Sequence, residues 1–212
     1  MSKSLSKDYK TEKIWRQNRL VVLFGAVLVF GGFTMVMSFL PLHLYELGIT
    51  DIAYNALWSG ILIGITPLMA SVLGPLWGVL ADRYGLKPMV LRATLGVAIS
   101  WVIFATATQM WHLAMARVIC GLFGGYNALL VPLISVECPR EKLNQAVGSV
   151  TSVRIASLAI GPLAGGLIAG WIGVRSTAIF TAIFVFSAAM LFLFFYQIPS
   201  KKNIQGTVSE PL

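Results

Sequence analysis

Charged residues are scarce in this chain: they make up 11% of its 212 residues, whereas 57% are hydrophobic and the mean hydropathy is +0.81. In soluble domains about a quarter of all residues are charged, so this composition excludes an ordinary soluble domain and favours a protein that lies in lipid. Cysteine is scarce too. Cys120 and Cys138 provide no disulfide framework, and we expect both to be reduced and structural.

The sequence also lacks the motifs of the common catalytic sites. It has no phosphate-binding loop, no Gly-x-Ser-x-Gly serine and no cluster of metal ligands, because His43 and His112 stand alone. We therefore expect no enzyme, no cofactor and no metal. The first apolar run is too long for the core of a cleavable signal peptide, and no small-residue cleavage site follows it.

Long apolar runs are abundant instead. A helix of about 20 apolar residues crosses a bilayer, and six segments reach that length: 20–45, 55–80, 88–108, 111–136, 143–171 and 176–198. The sequence therefore predicts an all-α membrane protein with six transmembrane helices. We divide it into a basic cytoplasmic tail (1–19), a six-helix bundle (20–198) and a second tail or the start of a linker (199–212).

The positive charges are distributed unevenly between the two sets of connections. Thirteen Lys and Arg residues lie in the N-terminal tail, the second-to-third and fourth-to-fifth connections and the C-terminal tail, whereas only Arg175 lies in the other set. By the positive-inside rule both termini are cytoplasmic. The Lys and Arg residues behind the net charge of +8 are therefore interpreted as groups beside an anionic membrane surface, and not as a face that binds nucleic acid.

Small residues and prolines recur inside the apolar runs. Gly-x-x-x-Gly pairs permit close approach of helices, although single pairs are common in any membrane helix. Prolines within or near the spans free a carbonyl and can kink a helix. We expect a closely packed, mobile bundle. The glycine pairs are Gly60/Gly64, Gly74/Gly78, Gly121/Gly125, Gly161/Gly165 and Gly166/Gly170, and the prolines are Pro41, Pro67, Pro75, Pro132 and Pro162.

Two arginines are expected inside the membrane: Arg117, about two turns into the fourth span, and Arg154, about three turns into the fifth. An arginine at the centre of a membrane helix costs about 2.5–3.5 kcal/mol on insertion scales, so such residues usually face a cavity or a partner. The alternative is a structural, snorkelling arginine. Arg154 shares a helix face with Gly161, seven residues on.

The stretch GVLADRYGLKP connects the second and third spans, and it resembles a loop of the major facilitator superfamily. Seven residues match that loop, whereas Leu86 stands where a basic residue is usual; the matches are Gly78, Leu80, Ala81, Asp82, Arg83, Gly85 and Lys87. The segment from Arg117 to Gly121 resembles an Arg-x-x-Gln-Gly motif, with Cys120 in place of Gln. Gly161, Pro162, Gly165 and Gly166 match a Gly-Pro-x-x-Gly-Gly antiporter motif.

The resemblance covers about Trp15 to Ile198 and corresponds to the N-terminal half of such a transporter, a 3+3 inverted repeat. The segments Ser38–Leu42, Glu46–Ile49 and Trp58–Gly60 look like those of MdtG-type multidrug efflux proteins. The resemblance implies a gating motif from Gly78 to Lys87, a proton-linked Arg117 and a pivoting seam at Gly161–Gly166.

Family members transport with twelve helices, so we interpret the chain as half of a transporter: truncated, split or dimerising. The expected partners are membrane lipid, a small-molecule substrate, a proton, and a second half or a homodimer partner, in the inner membrane. The first hypothesis is proton-coupled efflux of amphipathic drugs. The alternatives are a transporter of a defined anionic metabolite bound by Arg154, and a non-transporting membrane protein.

Overall fold

The computed structural model describes residues 2–135, 138 and 140–197, and this part of the chain is helical without strands. A short 3₁₀ turn, Arg140–Lys142, precedes the last helix. The α-helices are α1 (Ser2–Met37), α2 (Leu40–Glu46), α3 (Ile52–Tyr84), α4 (Leu86–Ala105), α5 (Met110–Phe123), α6 (Tyr126–Ser135) and α7 (Leu143–Phe195).

These helices form six membrane spans, as the sequence predicts. Five continuous apolar runs are long enough to cross a bilayer, and the longest of them, α7, turns at Gly173 (φ 81°, ψ 163°) into two spans, 143–172 and 174–195. α5 and α6 together form the fourth span, Met110–Ser135. The connection at Gly173 is so short that only the torsion angles reveal the boundary.

The ends of the chain differ from the predicted boundaries. α1 is already helical from Ser2, and its apolar part is Ile14–Met37 rather than 20–45. The chain then turns and begins a separate short helix, α2, with Pro41 in its first turn, where the missing N–H costs nothing. The predicted C-terminal tail, 199–212, lies outside the described residues.

The bundle is held together mainly by α7, which packs on α1 and α4, while α5 packs on α3 and α4. Two hydroxyl groups join α1 to the two parts of α7: Thr34 Oγ1 donates to the Ser157 carbonyl (2.9 Å), and Thr181 Oγ1 donates to the Gly32 carbonyl (3.1 Å). Such bonds satisfy polar groups that lipid cannot.

The fourth span is broken in its middle, which its apolar run did not predict. α5 ends at Phe123 and α6 begins at Tyr126, because Gly125 adopts a positive φ of 104° that favours glycine. Backbone groups that a continuous helix would pair are therefore released within the membrane. Such irregular backbone persists at membrane depth only where protein or a cavity covers it.

The five glycine pairs divide into two kinds. Gly121 contacts α3, since a Cβ placed on it would lie 2.9 Å from the Thr66 carbonyl oxygen, and Gly161 and Gly165 contact α1. In each of the other three pairs at least one glycine has no close neighbour within the described chain, so these pairs do not form packed seams inside this half. Nothing in the described chain lies within 4 Å of a Cβ placed on any of five glycines: Gly60, Gly64, Gly74, Gly78 and Gly170.

Candidate functional site

The turn between α3 and α4 presents the predicted gating residues to the outside of the bundle. Gly85 (φ 92°) separates the helices, and its N–H donates to the Ala81 carbonyl (2.8 Å). Asp82 and Arg83 are both exposed. The Arg83 guanidinium lies over the Tyr84 ring, 5.5 Å from its centre, rather than against Asp82. Across residues 2–135, 138 and 140–197, no ion pair involves Asp82.

Lys87, the last residue of this motif, has a contact that the sequence did not indicate. Its Nζ donates to the carbonyls of Leu193 (2.9 Å) and Tyr196 (2.6 Å) at the end of α7. A cation suits a helix C-terminus, where carbonyls lack partners. Asn18 of α1 holds the same end, since its side chain exchanges two hydrogen bonds with the Gln197 backbone. The end of the sixth span is thus fixed to α1 and α4.

Arg117 lies where it was predicted, two turns into α5, and its side chain is fully buried. Its Nη1 donates to Met37 Sδ (3.1 Å), and three aromatic rings surround the guanidinium. The ring centres of Trp101, Phe104 and Phe33 lie 4.6, 5.1 and 5.9 Å from its Cζ. Nε and Nη2 have no hydrogen-bond partner in the described chain. Cation–π attraction offsets part of the desolvation cost.

Arg154 occupies a different environment, beside the break in the fourth span. It is half-buried, and its Nη1 reaches Asn127 Oδ1 at 3.5 Å, at the limit of a hydrogen bond. Asn127 lies in the first turn of α6, where backbone N–H groups have no partner within the helix. A cation and free N–H groups close together are suited to an anionic group. Arg154 faces α6, whereas Gly161 on the same helix faces α1.

A third arginine, Arg92, lies within the spans; the charge count assigned it to the second-to-third connection, although the predicted third span, 88–108, already contains it. Arg92 belongs to α4, and its Cζ lies 3.3 Å from the centre of the Trp77 ring and 5.9 Å from that of Phe123. None of its three guanidinium nitrogens has a hydrogen-bond partner in the described chain. The sequence signal for this position was its place four residues into the predicted span 88–108.

The Gly161–Gly166 seam is divided between two neighbours. A Cβ at Gly161 would overlap Thr34, and one at Gly165 would overlap the Met35 backbone, so both glycines allow α1 to approach α7. Gly166 instead faces the Phe39 ring at 3.2 Å. Pro162 lies inside α7. The seam therefore packs within this half at Gly161 and Gly165, against α1.

The two histidines also have definite surroundings. His43 in α2 is fully buried, stacks on Phe104 (5.2 Å between ring centres) and places Nδ1 3.3 Å from Glu46 Oε2. Burial lowers the pKa of His43 from its ordinary value, Arg175 lowers it further, and Glu46 partly opposes both. His112 accepts from backbone N–H groups at the start of α5, where it completes a capping box.

Acidic and metal-binding groups are sparse. Within the described ranges no three His, Cys, Asp or Glu residues lie close enough to hold a metal. Of the six acidic residues that the structure describes, none occupies the middle of a span. Glu137 and Glu210 lie outside the described residues. Arg117, Arg154 and Arg92 are therefore positive groups within the spans for which the described part of the chain offers no acid at similar depth.

Comparison with known proteins agrees with this architecture. The sequence model of the Major Facilitator Superfamily matches residues 22–211. A "Multidrug resistance protein MdtG" from Proteus mirabilis is 38% identical over 181 residues, which are 85% of this chain and 45% of that protein. The protein of the same name from Salmonella paratyphi C is 38% identical over 194 residues, 90% of this chain and 48% of that protein.

The fold has a solved counterpart. The crystal structure of "the human organic anion transporter MFSD10 (TETRAN)" superposes with a TM-score of 0.70 at 20% sequence identity, over 86% of this chain and 48% of that one. The chain thus spans about half the length of the relatives and of the structure that it matches.

Proposed function

Because the chain belongs to the Major Facilitator Superfamily, we propose that it forms a six-helix half of a secondary transporter that exports amphipathic small molecules in exchange for protons. The observation that carries this proposal is the 38% identity to the MdtG multidrug resistance proteins over most of the chain. A second six-helix half, from another chain or another copy, completes the transporter, and both termini lie in the cytoplasm.

The α3–α4 turn supports a gating role in this arrangement. Asp82 is exposed at the end of α3, so its carboxylate is free to meet a helix N-terminus of the second half. Such a contact is worth about 0.3–1 kcal/mol at an exposed site. A latch of that strength closes the cytoplasmic side and still reopens within a transport cycle.

Arg117 supports a role in proton coupling. Its guanidinium is enclosed by three rings, and two of its nitrogens have no partner in the described chain. When the enclosing helices move apart and a carboxylate of the second half or of the substrate reaches Arg117, the guanidinium stabilises that carboxylate in its charged form. A proton that neutralises the carboxylate removes this attraction. Proton binding and a change of helix position are thereby coupled.

The surface between α1 and α7 supplies an apolar substrate face. A groove of about 260 Å³ lies there, lined almost entirely by apolar side chains and glycines, among them Val27, Met35, Ile160 and Phe184. Ligand pockets for drug-sized molecules are about 300–1,000 Å³. The groove therefore forms part of a pocket that the second half completes.

The test is efflux of a fluorescent lipophilic cation from cells that express the chain together with a six-helix C-terminal half. Arg117→Met keeps a long apolar side chain among the rings, so we expect the variant to reach the membrane and lose efflux driven by a proton gradient. Gly64→Ala, on the open face of α3, serves as a matched expression control. Full proton-driven efflux by Arg117→Met would contradict the coupling role.

Arg154 favours a second candidate function, transport of a defined anionic metabolite. Among the described residues its guanidinium has one hydrogen-bond contact, at 3.5 Å to Asn127, which lies in the first turn of α6, where backbone N–H groups have no partner within the helix. Arg154→Ala separates the candidates: export of a cationic dye should survive the change, whereas transport of an anion should be lost. If the chain with any six-helix partner gives no flux in proteoliposomes, the non-transporting alternative is correct.

A further inference from the structure

A second cavity, lined by charged side chains, lies at the opposite end of the bundle from α2, where α1 enters its apolar segment. It has a volume of about 460 Å³ and lies between α1 and the start of α7. No part of the proposed transport mechanism uses it. Its lining residues are Trp15, Arg16, Arg19, Leu20, Leu23, Lys142 and Gln145.

The cations of this cavity are arranged around one aromatic ring. Trp15 is 4% exposed, so its indole is fixed in the bundle. The Arg19 guanidinium and the Lys142 ammonium each lie 5.5 Å from the centre of that ring. Cation–π attraction to a rigid indole limits the freedom of both side chains and keeps their charges together.

One carboxylate already lies among these cations. Glu12 Oε1 is 3.4 Å from Lys142 Nζ and 3.5 Å from Arg16 Nη2. Three cations and one carboxylate leave an excess of positive charge in the cavity. Glu12 remains 47% exposed, so it is a surface group that another anion can displace.

The cavity also crosses from polar to apolar surroundings. The apolar part of α1 begins at Ile14, and Trp15 is of the residue type that favours the membrane interface. Leu20 is 58% exposed and lies about 7.5 Å deeper along α1 than Trp15, at 1.5 Å per residue. The Arg19 side chain reaches back to the Trp15 ring, so the charges gather around Trp15 at headgroup level, with the exposed Leu20 beneath them at the level of acyl chains.

We propose that this cavity binds the phosphate of an anionic phospholipid, with Arg19 and Lys142 as its principal ligands and Leu20 and Leu23 against the acyl chain. Guanidinium and ammonium groups are the usual partners of phosphate oxygens. A free phosphate ion would use the cations and leave the leucines in contact with water, so the combination favours a lipid. The site holds the start of α1 against α7 from the lipid side, independently of transport.

The test measures which lipids the purified 212-residue chain retains, by native mass spectrometry from mixed micelles of phosphatidylglycerol and phosphatidylcholine. We expect wild type to retain phosphatidylglycerol preferentially. Each cation near an anionic lipid contributes about a fivefold change in affinity, so Arg19→Gln with Lys142→Gln should weaken retention about twenty-five-fold. Arg83→Gln removes an exposed cation at the same end of the bundle and should leave retention unchanged.

Glu12→Gln gives an independent result, because it removes the competing carboxylate and should strengthen phosphatidylglycerol retention about fivefold. A gain of this kind cannot arise from misfolding. Unchanged retention in both the double variant and Glu12→Gln would overturn the proposal. So would displacement of the lipid by millimolar inorganic phosphate, since the site would then take a free anion.

Discussion

α3 and α4 are neighbours in sequence and similar in hydropathy, yet they occupy opposite environments. In the apolar window of α4, 61% of the residues are buried within the bundle, compared with 11% in α3. Trp101 and Phe104 of α4 are fully enclosed, whereas Ile63, Leu68 and Val72 of α3 are exposed. Lipid and protein interior are equally apolar, so hydropathy identifies a span without identifying what covers it.

The glycines of the two helices differ in the same way. Gly96 of α4 lies against Phe123, so a Cβ there would overlap the ring, whereas Gly60 and Gly64 of α3 meet nothing within 4 Å. Gly96 of α4 thus allows close contact with Phe123 of α5 inside this half. The glycines of α3 leave a smooth open face, which is the surface that α3 offers to lipid or to a second half.

The largest effect that separates the helices is expected from enlarging one glycine in each. Gly96→Leu should lower the free energy of unfolding by about 1–3 kcal/mol or more, because overpacking displaces Phe123. Gly64→Leu should leave it nearly unchanged. The measurement is unfolding of the purified chain in mixed micelles, followed by helical circular dichroism. Equal losses in the two variants would mean that α3 is covered within this half after all.

The number of spans was predictable from the sequence because apolar runs and the charged turn at Asp82–Lys87 both signal membrane boundaries. The face that each span presents was not predictable. Arg92 shows why: its side chain is placed by Trp77 and Phe123, which come from two other helices. Such contacts depend on packing between distant segments, which periodicity within a single helix does not reveal.

The candidate site was predictable in part. Arg117 stands out because a charge inside an apolar run is costly, but its enclosure by Phe33, Trp101 and Phe104 requires α1 and α4 to meet around it. The break in the fourth span had a signal in the adjacent glycines Gly124 and Gly125, which the count of apolar residues passed over. Their consequence for Arg154 depends on α6 and α7 being neighbours.

A smaller effect is expected at the turn that joins the two helices, where each contributes one cation. Lys87→Met, at the start of α4, removes two hydrogen bonds to carbonyls of α7 and should cost about 1–2 kcal/mol of unfolding free energy. Arg83→Met, at the end of α3, removes an exposed side chain and should change it by less than about 0.5 kcal/mol. The same unfolding measurement applies, with helical content as the control for folding.

That pair also tests how the sixth span is fixed. If Lys87→Met unfolds like wild type, then the contacts from α1 are sufficient to hold the end of α7: the bonds between Asn18 and Gln197, and the bond from Gln17 Nε2 to the Phe195 carbonyl (3.3 Å). Asn18→Leu combined with Lys87→Met should then show a loss that neither change shows alone. If the losses of unfolding free energy in the two single variants add up to the loss in the double variant, the two contacts stabilise the end of α7 independently.

A last effect, confined to acid pH, is expected from protonation of His43, which packs on α4 through Phe104. Because burial lowers its pKa in the folded protein, the unfolded chain binds the proton first as the pH falls below the ordinary value of 6.5. The free energy of unfolding should therefore decrease as the pH falls from 6.5 to the folded pKa, by about 1.4 kcal/mol for each unit between the two pKa values. Below the folded pKa it should change no further.

His43→Gln removes this titration, so its unfolding free energy should vary less with pH between about 7 and 5 than that of wild type. Glu46 contacts the imidazole and favours its charged form, whereas the positive charge of Arg175 disfavours that form electrostatically. Glu46→Gln should accordingly steepen the acid destabilisation, whereas Arg175→Gln should reduce it. A steeper pH dependence in His43→Gln than in wild type would show that another group, and not this buried imidazole beside α4, gives the bundle its acid sensitivity.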